Sequence, residues 1–345
     1  MPEIERREME SWRNRKTLIL GRTDMMGLLE PHEYNDRVEH AYRMHGEGRY
    51  YMEPKGHIVL DKYPGEWEVM PSYIEEPEAA ACKWVSIREE NRAKFDLPTV
   101  FSILIYTHPE TGFPLAICDG SYHTVMRTGS AAAVSAKHLA RPDSKTLAIV
   151  GAGNMAEGVL ATCNEVFAWE SVRVWSRSQG TLDDFVREQQ PRYEGFEIRA
   201  STNLEEVVRG ADVVVTVTPA RGPIVEDAWI GEGTHIAALG ADKEGDQELD
   251  PKILTRARTF VDDIRQCRTD GEINVPLREG IISEGDVVGE IGQVVAGKLE
   301  GRTSERDITV FDSTGFALQD SATVPLEYER ALAAGVGIEK KMIST

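Results

Sequence analysis

Residues 145–156 read KTLAIVGAGNMA. The apolar run TLAIV (146–150) has the pattern of a buried strand and passes through Gly151-Ala152-Gly153 into a helix-forming segment that begins at Asn154. This is the G-x-G-x-x-A form of the fingerprint with which a strand, a tight turn and a helix cradle the pyrophosphate of a dinucleotide. Gly151 permits the turn, Gly153 offers no side chain to obstruct a phosphate, and Ala156 is small enough for the helix to lie close on its strand. The first amides of that helix, at Asn154, Met155 and Ala156, together with the positive end of its dipole, suit an anion.

The surroundings fit the fingerprint. A helix is expected over 154–167, then SVRVWS (171–176), a helix over 182–189, FEIRAS (196–201), a short helix from Asn203 to Gly210, ADVVVTVT (211–218), THIAALG (234–240) and RTFVDD (258–263). Strands alternating with helices predict an α/β fold built on a Rossmann-type doubly wound parallel sheet, with ligands at the carboxyl ends of its strands. The first 140 residues read differently. A helix over 30–46 is followed by short strands broken by Pro and Gly, and FSILIYTH (101–108), PETG and FPLAIC (113–118) form a hairpin. An Ala-rich helix over 124–139 leads into the fingerprint. ITVFDSTGFALQD and the helix after it are expected to return to the first domain. The division is therefore an α+β domain over 1–138, completed by 315–345, and a dinucleotide-binding domain over 139–314.

The chain has 345 residues, 39 Lys plus Arg against 58 Asp plus Glu, and a formal charge of −19. No basic field exists to neutralise phosphates, which argues against nucleic acid as a partner. No apolar run is long enough to span a bilayer, and the charged N-terminus lacks a signal-peptide core. Four scattered cysteines without a CxxC pair read as reduced thiols, and the expected location is cytoplasmic. Neither a metal-binding motif of the HExxH type nor a G-x-S-x-G elbow is present, so no metal is expected.

An NAD site usually ends its second strand in an acid that holds the ribose 2′-hydroxyl. Here that strand ends Ser176-Arg177-Ser178. A guanidinium suits a 2′-phosphate, so NADP(H) is favoured over NAD(H). Elsewhere, Lys83 in AACKWV, Arg127 in VMRTGSAAA and Glu68 in EWEVMPSY stand in apolar or Gly/Pro-marked segments, and Asp242 in LGADKEG follows a parallel strand directly. Each has an ordinary alternative: a lysine whose stem packs while its head reaches water, an arginine that caps a hairpin or pairs with Asp119, a surface strand glutamate, a turn aspartate. His123 reads as structural.

These segments carry a resemblance. EVMPSY, the Lys of CKWV, DLPTV, the TG hairpin, MRTGSAAAVSAKHLA, VGAGNMA, LGAD and VFDSTGFALQD occur in the order seen in the ornithine cyclodeaminase/mu-crystallin family, which includes some alanine dehydrogenases, ketimine reductases and lysine cyclodeaminases. The resemblance covers nearly the whole chain after residue 17. It implies that Lys83 and Arg127 hold a substrate carboxylate, that Asp242 serves the reacting amino group, that Thr99 lies near the nicotinamide, and that Met70 of EVMPSY belongs to the substrate site. Lys55 stands where family members usually carry Arg, and it supplies charge without a bidentate fork. Glu68 matches an acid of the cyclodeaminases. Family members pair through the first domain, which implies a homodimer.

The chemistry is coherent with these roles. An α-amino acid needs cations at its carboxylate, an acid–base group at its nitrogen and a hydride acceptor at Cα. The expected activity is an NAD(P)-dependent imine reductase or alanine-type amino-acid dehydrogenase. The alternatives are an ornithine- or lysine-type cyclodeaminase with recycled NAD, and an NADPH-binding protein like mu-crystallin.

Overall fold

The fingerprint strand lies third in a parallel sheet. The computed structural model describes residues 11–343, and its chain divides into two compact units, 1–124 with 317–345 and 125–316. Among the described residues, the sheet of the second unit runs Ile198–Ser201, Ser171–Trp175, Thr146–Val150, Val213–Thr216, His235–Ala238, Thr309–Asp312, Arg258–Val261 and Val287–Glu290, with every pairing parallel. From Thr146–Val150 the chain winds outward to Ser171–Trp175 and Ile198–Ser201, then crosses back to Val213–Thr216 on the other side. The strand order therefore reverses beside the fingerprint, where this class of sheet opens a crevice for ligands. One face is filled by Ala148, Val150, Val214, Ile236, Val261 and Val310, all buried, as parallel strands covered on both sides require.

Three details differ from the sequence reading. The helix after the fingerprint is Asn154–Cys163 and stops short of 167, where the Cys163 carbonyl accepts from the Val166 amide and the Trp169 indole N–H, each at 3.1 Å. Thr309–Asp312 does not return to the first domain. It pairs between His235–Ala238 and Arg258–Val261, and only the helix that follows it, Ala317–Ala334, belongs to the first unit. The Ala-rich helix runs Gly120–Leu139, with the Asp119 carboxylate accepting from the amides of Ser121 and Tyr122. The units meet inside this helix, at 124/125 rather than 138/139. From Val125 onward the helix packs within the second unit: a Cβ on Gly129 would fall 2.3 Å from the backbone of Gly158.

The first unit holds a mixed sheet whose centre is the antiparallel series Tyr63–Glu75, Glu78–Ile87, Val100–Thr107 and Pro114–Asp119. Its strands are not all short. Tyr63–Glu75 has 13 residues despite Pro64 and Pro71. Pro71 stands where edge pairing is interrupted, between Ser72, which pairs Met52, and Val69, which pairs Gly56. One face of the sheet is buried under Ala317–Ala334. The other carries the partly exposed cross-strand row Val69, Trp84 and Ile103, with Trp84 40% and Ile103 47% exposed. Among the described residues no helix is long and apolar enough to cross a membrane.

Candidate active site

In the second unit, the carboxyl ends of three strands build the dinucleotide end of the site. After Thr146–Val150, Gly151 takes φ 122°, donates its amide to Trp175 at 3.0 Å, and lies so close to the next strand's loop that a Cβ would sit 2.9 Å from the Val217 carbonyl oxygen. Only glycine meets both demands. Gly153 is different: a Cβ there would meet nothing within 4 Å. Packing within the chain does not require glycine at 153, whereas a phosphate seated on the helix start does. Asn154 is exposed, Met155 half-buried and Ala156 fully buried against its strand. These residues fit a dinucleotide.

After Ser171–Trp175, Ser176 accepts from the Ser178 amide, and Ser178 caps the next helix by accepting from the Thr181 amide. Arg177 between them is exposed and has no hydrogen-bond or ion-pair partner among the described residues. After His235–Ala238, the chain bends at Gly240, which brings half-buried Asp242 to the carboxyl end of the strand two along from the fingerprint strand. Arg127, on Gly120–Leu139, is 6% exposed.

In the first unit, strand alternation decides which side chains turn inward. On Tyr63–Glu75 the buried set is Glu66, Glu68, Met70, Ser72 and Ile74. On Glu78–Ile87 it includes Ala79, Ala81, Lys83 and Val85. Met70 and Lys83 are direct cross-strand partners. A face that should be apolar thus carries two acids and a lysine, which marks it as a site. Lys83 does not reach water: it is 1% exposed and lies 3.1 Å from the Asp320 carboxylate on Ala317–Ala334. Asp320 also meets His123 Nε2 at 3.1 Å, His123 Nδ1 meets Glu327 at 2.8 Å, and the Tyr34 hydroxyl donates to Glu327 at 2.8 Å. Burial alone would lower the His123 pKa, but the Glu327 charge and the hydrogen bonds to both acids raise it to about 9. His123 is therefore an imidazolium, and the chain Lys83, Asp320, His123, Glu327 alternates in sign.

Lys55 is buried, with its ammonium 3.8 Å from Glu68. His57 bonds Glu66 at 2.9 Å, and His57, Glu66 and Glu68 bring their potential ligand atoms within 4.8 Å of one another. Lys55 already supplies a cation at Glu68. Thr99 precedes Val100–Thr107, with its carbonyl accepting from the Arg88 amide at 2.8 Å.

The structure therefore gathers Lys55, Glu68, Met70 and Lys83 on one sheet face of the first unit. It gathers Gly151, Gly153 and Asp242 at strand ends of the second. Sequence reading missed Asp320 and Glu327 and passed over His123 as structural. The two acids stand seven residues apart, on one face of a helix whose buried positions are otherwise largely apolar or small. An acid at that spacing on a buried face was the available signal.

The model of the ornithine cyclodeaminase/mu-crystallin family matches residues 15–335. The chain is 40% identical to an alanine dehydrogenase of Archaeoglobus fulgidus over 326 residues, covering 94% of this chain and 98% of that one. A solved archaeal alanine dehydrogenase dimer with bound NAD superposes with TM-score 0.89 at 40% identity, covering 95% of this chain and all of the other. The Thermococcus litoralis Δ1-pyrroline-2-carboxylate reductase, solved with NADH and L-proline, gives 0.89 at 36% identity, covering 93% and 99%.

Proposed function

The chain belongs to the ornithine cyclodeaminase/mu-crystallin family, and from that premise we propose an NAD(P)-dependent oxidoreductase acting at Cα of a small amino or imino acid, as an imine reductase or an alanine-type dehydrogenase. The observation that carries the reading is the fingerprint turn at the strand-order reversal, with Asp242 two strands along. When bound, the nicotinamide supplies hydride transfer at Cα. Lys83 and Arg127 bind the substrate carboxylate and so orient Cα. Asp242 holds or accepts a proton at the substrate nitrogen. Met70 and Lys55 line the substrate side, and Thr99 borders the nicotinamide. Arg177, without a partner of its own, receives the 2′-phosphate of NADP(H). The solved relatives named above hold NAD or NADH, so the cofactor choice is a direct test of Arg177.

The row Val69, Trp84 and Ile103, in which Trp84 and Ile103 are exposed, suits a second copy of this chain, and the archaeal alanine dehydrogenase is a dimer. A monomeric mass in solution would reject that pairing.

Glu68 favours a second reading. Its buried Oε1 makes no hydrogen bond among the described residues and faces the Lys55 ammonium only at 3.8 Å, so it would suit a closer ammonium, the distal one of a diamine, as in a cyclodeaminase. The assay offers the protein pyruvate with ammonia, cyclic imines such as Δ1-pyrroline-2-carboxylate, and ornithine or lysine, each with both cofactors. Net oxidation of NADPH or NADH is expected with the first two. Ammonia released from a diamine without net cofactor change would replace the first reading with the second, and cofactor binding without turnover would leave a mu-crystallin-like binding protein. Arg177→Ala should weaken NADPH about tenfold or more and NADH little, from the loss of a charge-assisted bond. Equal losses would reject the phosphate role.

A further inference from the structure

Among the acids that the second unit buries and the reaction does not use, Asp312, Glu272 and Glu248 are linked in series. Asp312, at the end of Thr309–Asp312, accepts from the amides of Glu272 at 2.9 Å and Ile273 at 3.1 Å. The Glu272 side chain accepts from the amides of Glu248 at 2.9 Å and Leu249 at 2.7 Å. The Glu248 side chain spans two strand-end loops. Its Oε1 accepts from the Thr218 amide at 2.8 Å and the Thr218 hydroxyl at 2.7 Å, while its Oε2 accepts from the Gly240 amide at 2.9 Å. Each acid thus fixes the backbone that carries the next, and the last fixes the loop that carries Asp242.

A separate observation shows how tightly that last junction is built. A Cβ on Gly240 would fall 2.3 Å from the Thr218 carbonyl oxygen and 2.5 Å from Glu248 Oε2. The two loops touch backbone to backbone, with the Glu248 carboxylate between them. We propose that Glu248 is a positioning residue: by tying the loop at Gly240 to the loop at Thr218 it fixes where Asp242 stands, with Glu272 and Asp312 holding Glu248 in place. The functional half rests on the reading of Asp242 given above. The structural half does not.

The substitution that isolates this is Glu248→Gln. Both carboxylate oxygens accept from N–H donors. An amide can keep an oxygen on one loop only, and its NH2 then opposes the donor of the other. Hydrogen exchange read by mass spectrometry over 217–219 and 239–243 should quicken by about tenfold or more at one or both loops, the scale of a lost charge-assisted bond. With alanine or Δ1-pyrroline-2-carboxylate as probe, kcat should fall by about tenfold, while the cofactor KM moves less than about twofold. Asp242→Asn should lose kcat and leave the exchange as in the wild type. Wild-type exchange in Glu248→Gln overturns the proposal, as does quickened exchange with unchanged kcat while Asp242→Asn is inactive. An active Asp242→Asn overturns the role of Asp242 instead, and is told apart because the exchange difference persists. Should Glu248→Gln fail to fold, Thr218→Val removes the hydroxyl donor alone. A smaller quickening in the same two peptides is expected, and none overturns the tie.

Discussion

Each unit buries a line of ionisable side chains, and the two lines are stabilised in opposite ways. In the first unit, Lys83, Asp320, His123 and Glu327 alternate in sign, so each charge is met by side chains of the other sign. In the second, Asp312, Glu272 and Glu248 are all acids, and they are met by backbone amides. Ion pairing keeps the first line charged: His123 is raised to about 9. Amides compensate burial only in part, so Glu248 is raised to about 7, Asp312 to about 8, and Glu272 well above the carboxylate range. The first line holds Lys83, the cation proposed above for the substrate carboxylate. The second holds loops.

Breaking the first line should have the largest effect. Lys83→Ala is expected to lower turnover about 100-fold or more, as when a positioning contact is lost. It should also cost about 3–5 kcal/mol of stability, because Asp320 loses its strongest partner in a dry site. Turnover at the wild-type rate in the Lys83→Ala protein would remove Lys83 from the mechanism.

His123 gives the next effect, and it depends on pH. Its folded pKa is about 9 against an ordinary 6.5. The raised value means that its contribution is complete below about pH 6.5 and disappears as pH climbs through about 9. His123→Gln should therefore be most destabilised relative to wild type near pH 6, with the gap narrowing towards pH 9.5. Denaturant midpoints at the two pH values measure this. A gap that widens with pH would mean that His123 is neutral and the line does not alternate.

The two lines also differ in how far the sequence exposed them. The fingerprint, the alternation of strand and helix, and the hairpin were legible because each is local: a turn, a period, a pair of adjacent strands. Lys83 and Glu68 were legible as charges in apolar segments. Their partners were not. Asp320 is 237 residues from Lys83, and nothing in a helix sequence says which strand it will cover. Likewise VFDSTG read as part of the C-terminal return, because TVFD pairs in register between two strands that are distant in sequence. The acids of the second unit look like solvated glutamates in QELD and DGEIN, and only the close approach of three loops reveals them as ties.

The smallest expected effect sharpens the comparison most. Glu272 Oε1 alone already reaches both amides, Leu249 at 2.7 Å and Glu248 at 3.1 Å. Burial, reinforced by the neighbouring Glu248 charge, raises its pKa well above the usual range. The fold therefore favours the protonated acid, and glutamine has nearly that shape, with a donor in place of the O–H. Glu272→Gln should cost less than about 1 kcal/mol, against the several lost when a member of the alternating line is removed. The sign with pH is also fixed. A folded pKa above the unfolded one means that wild type loses the Glu272 contribution as pH rises from about 4.5, and glutamine has no proton to lose. The variant should gain on wild type as the solution becomes more alkaline. Denaturant midpoints at pH 5 and pH 8 test this: a cost of several kcal/mol at pH 5, or a deficit that grows towards pH 8, would show that Glu272 is an ionised member of the same kind of line as Asp320.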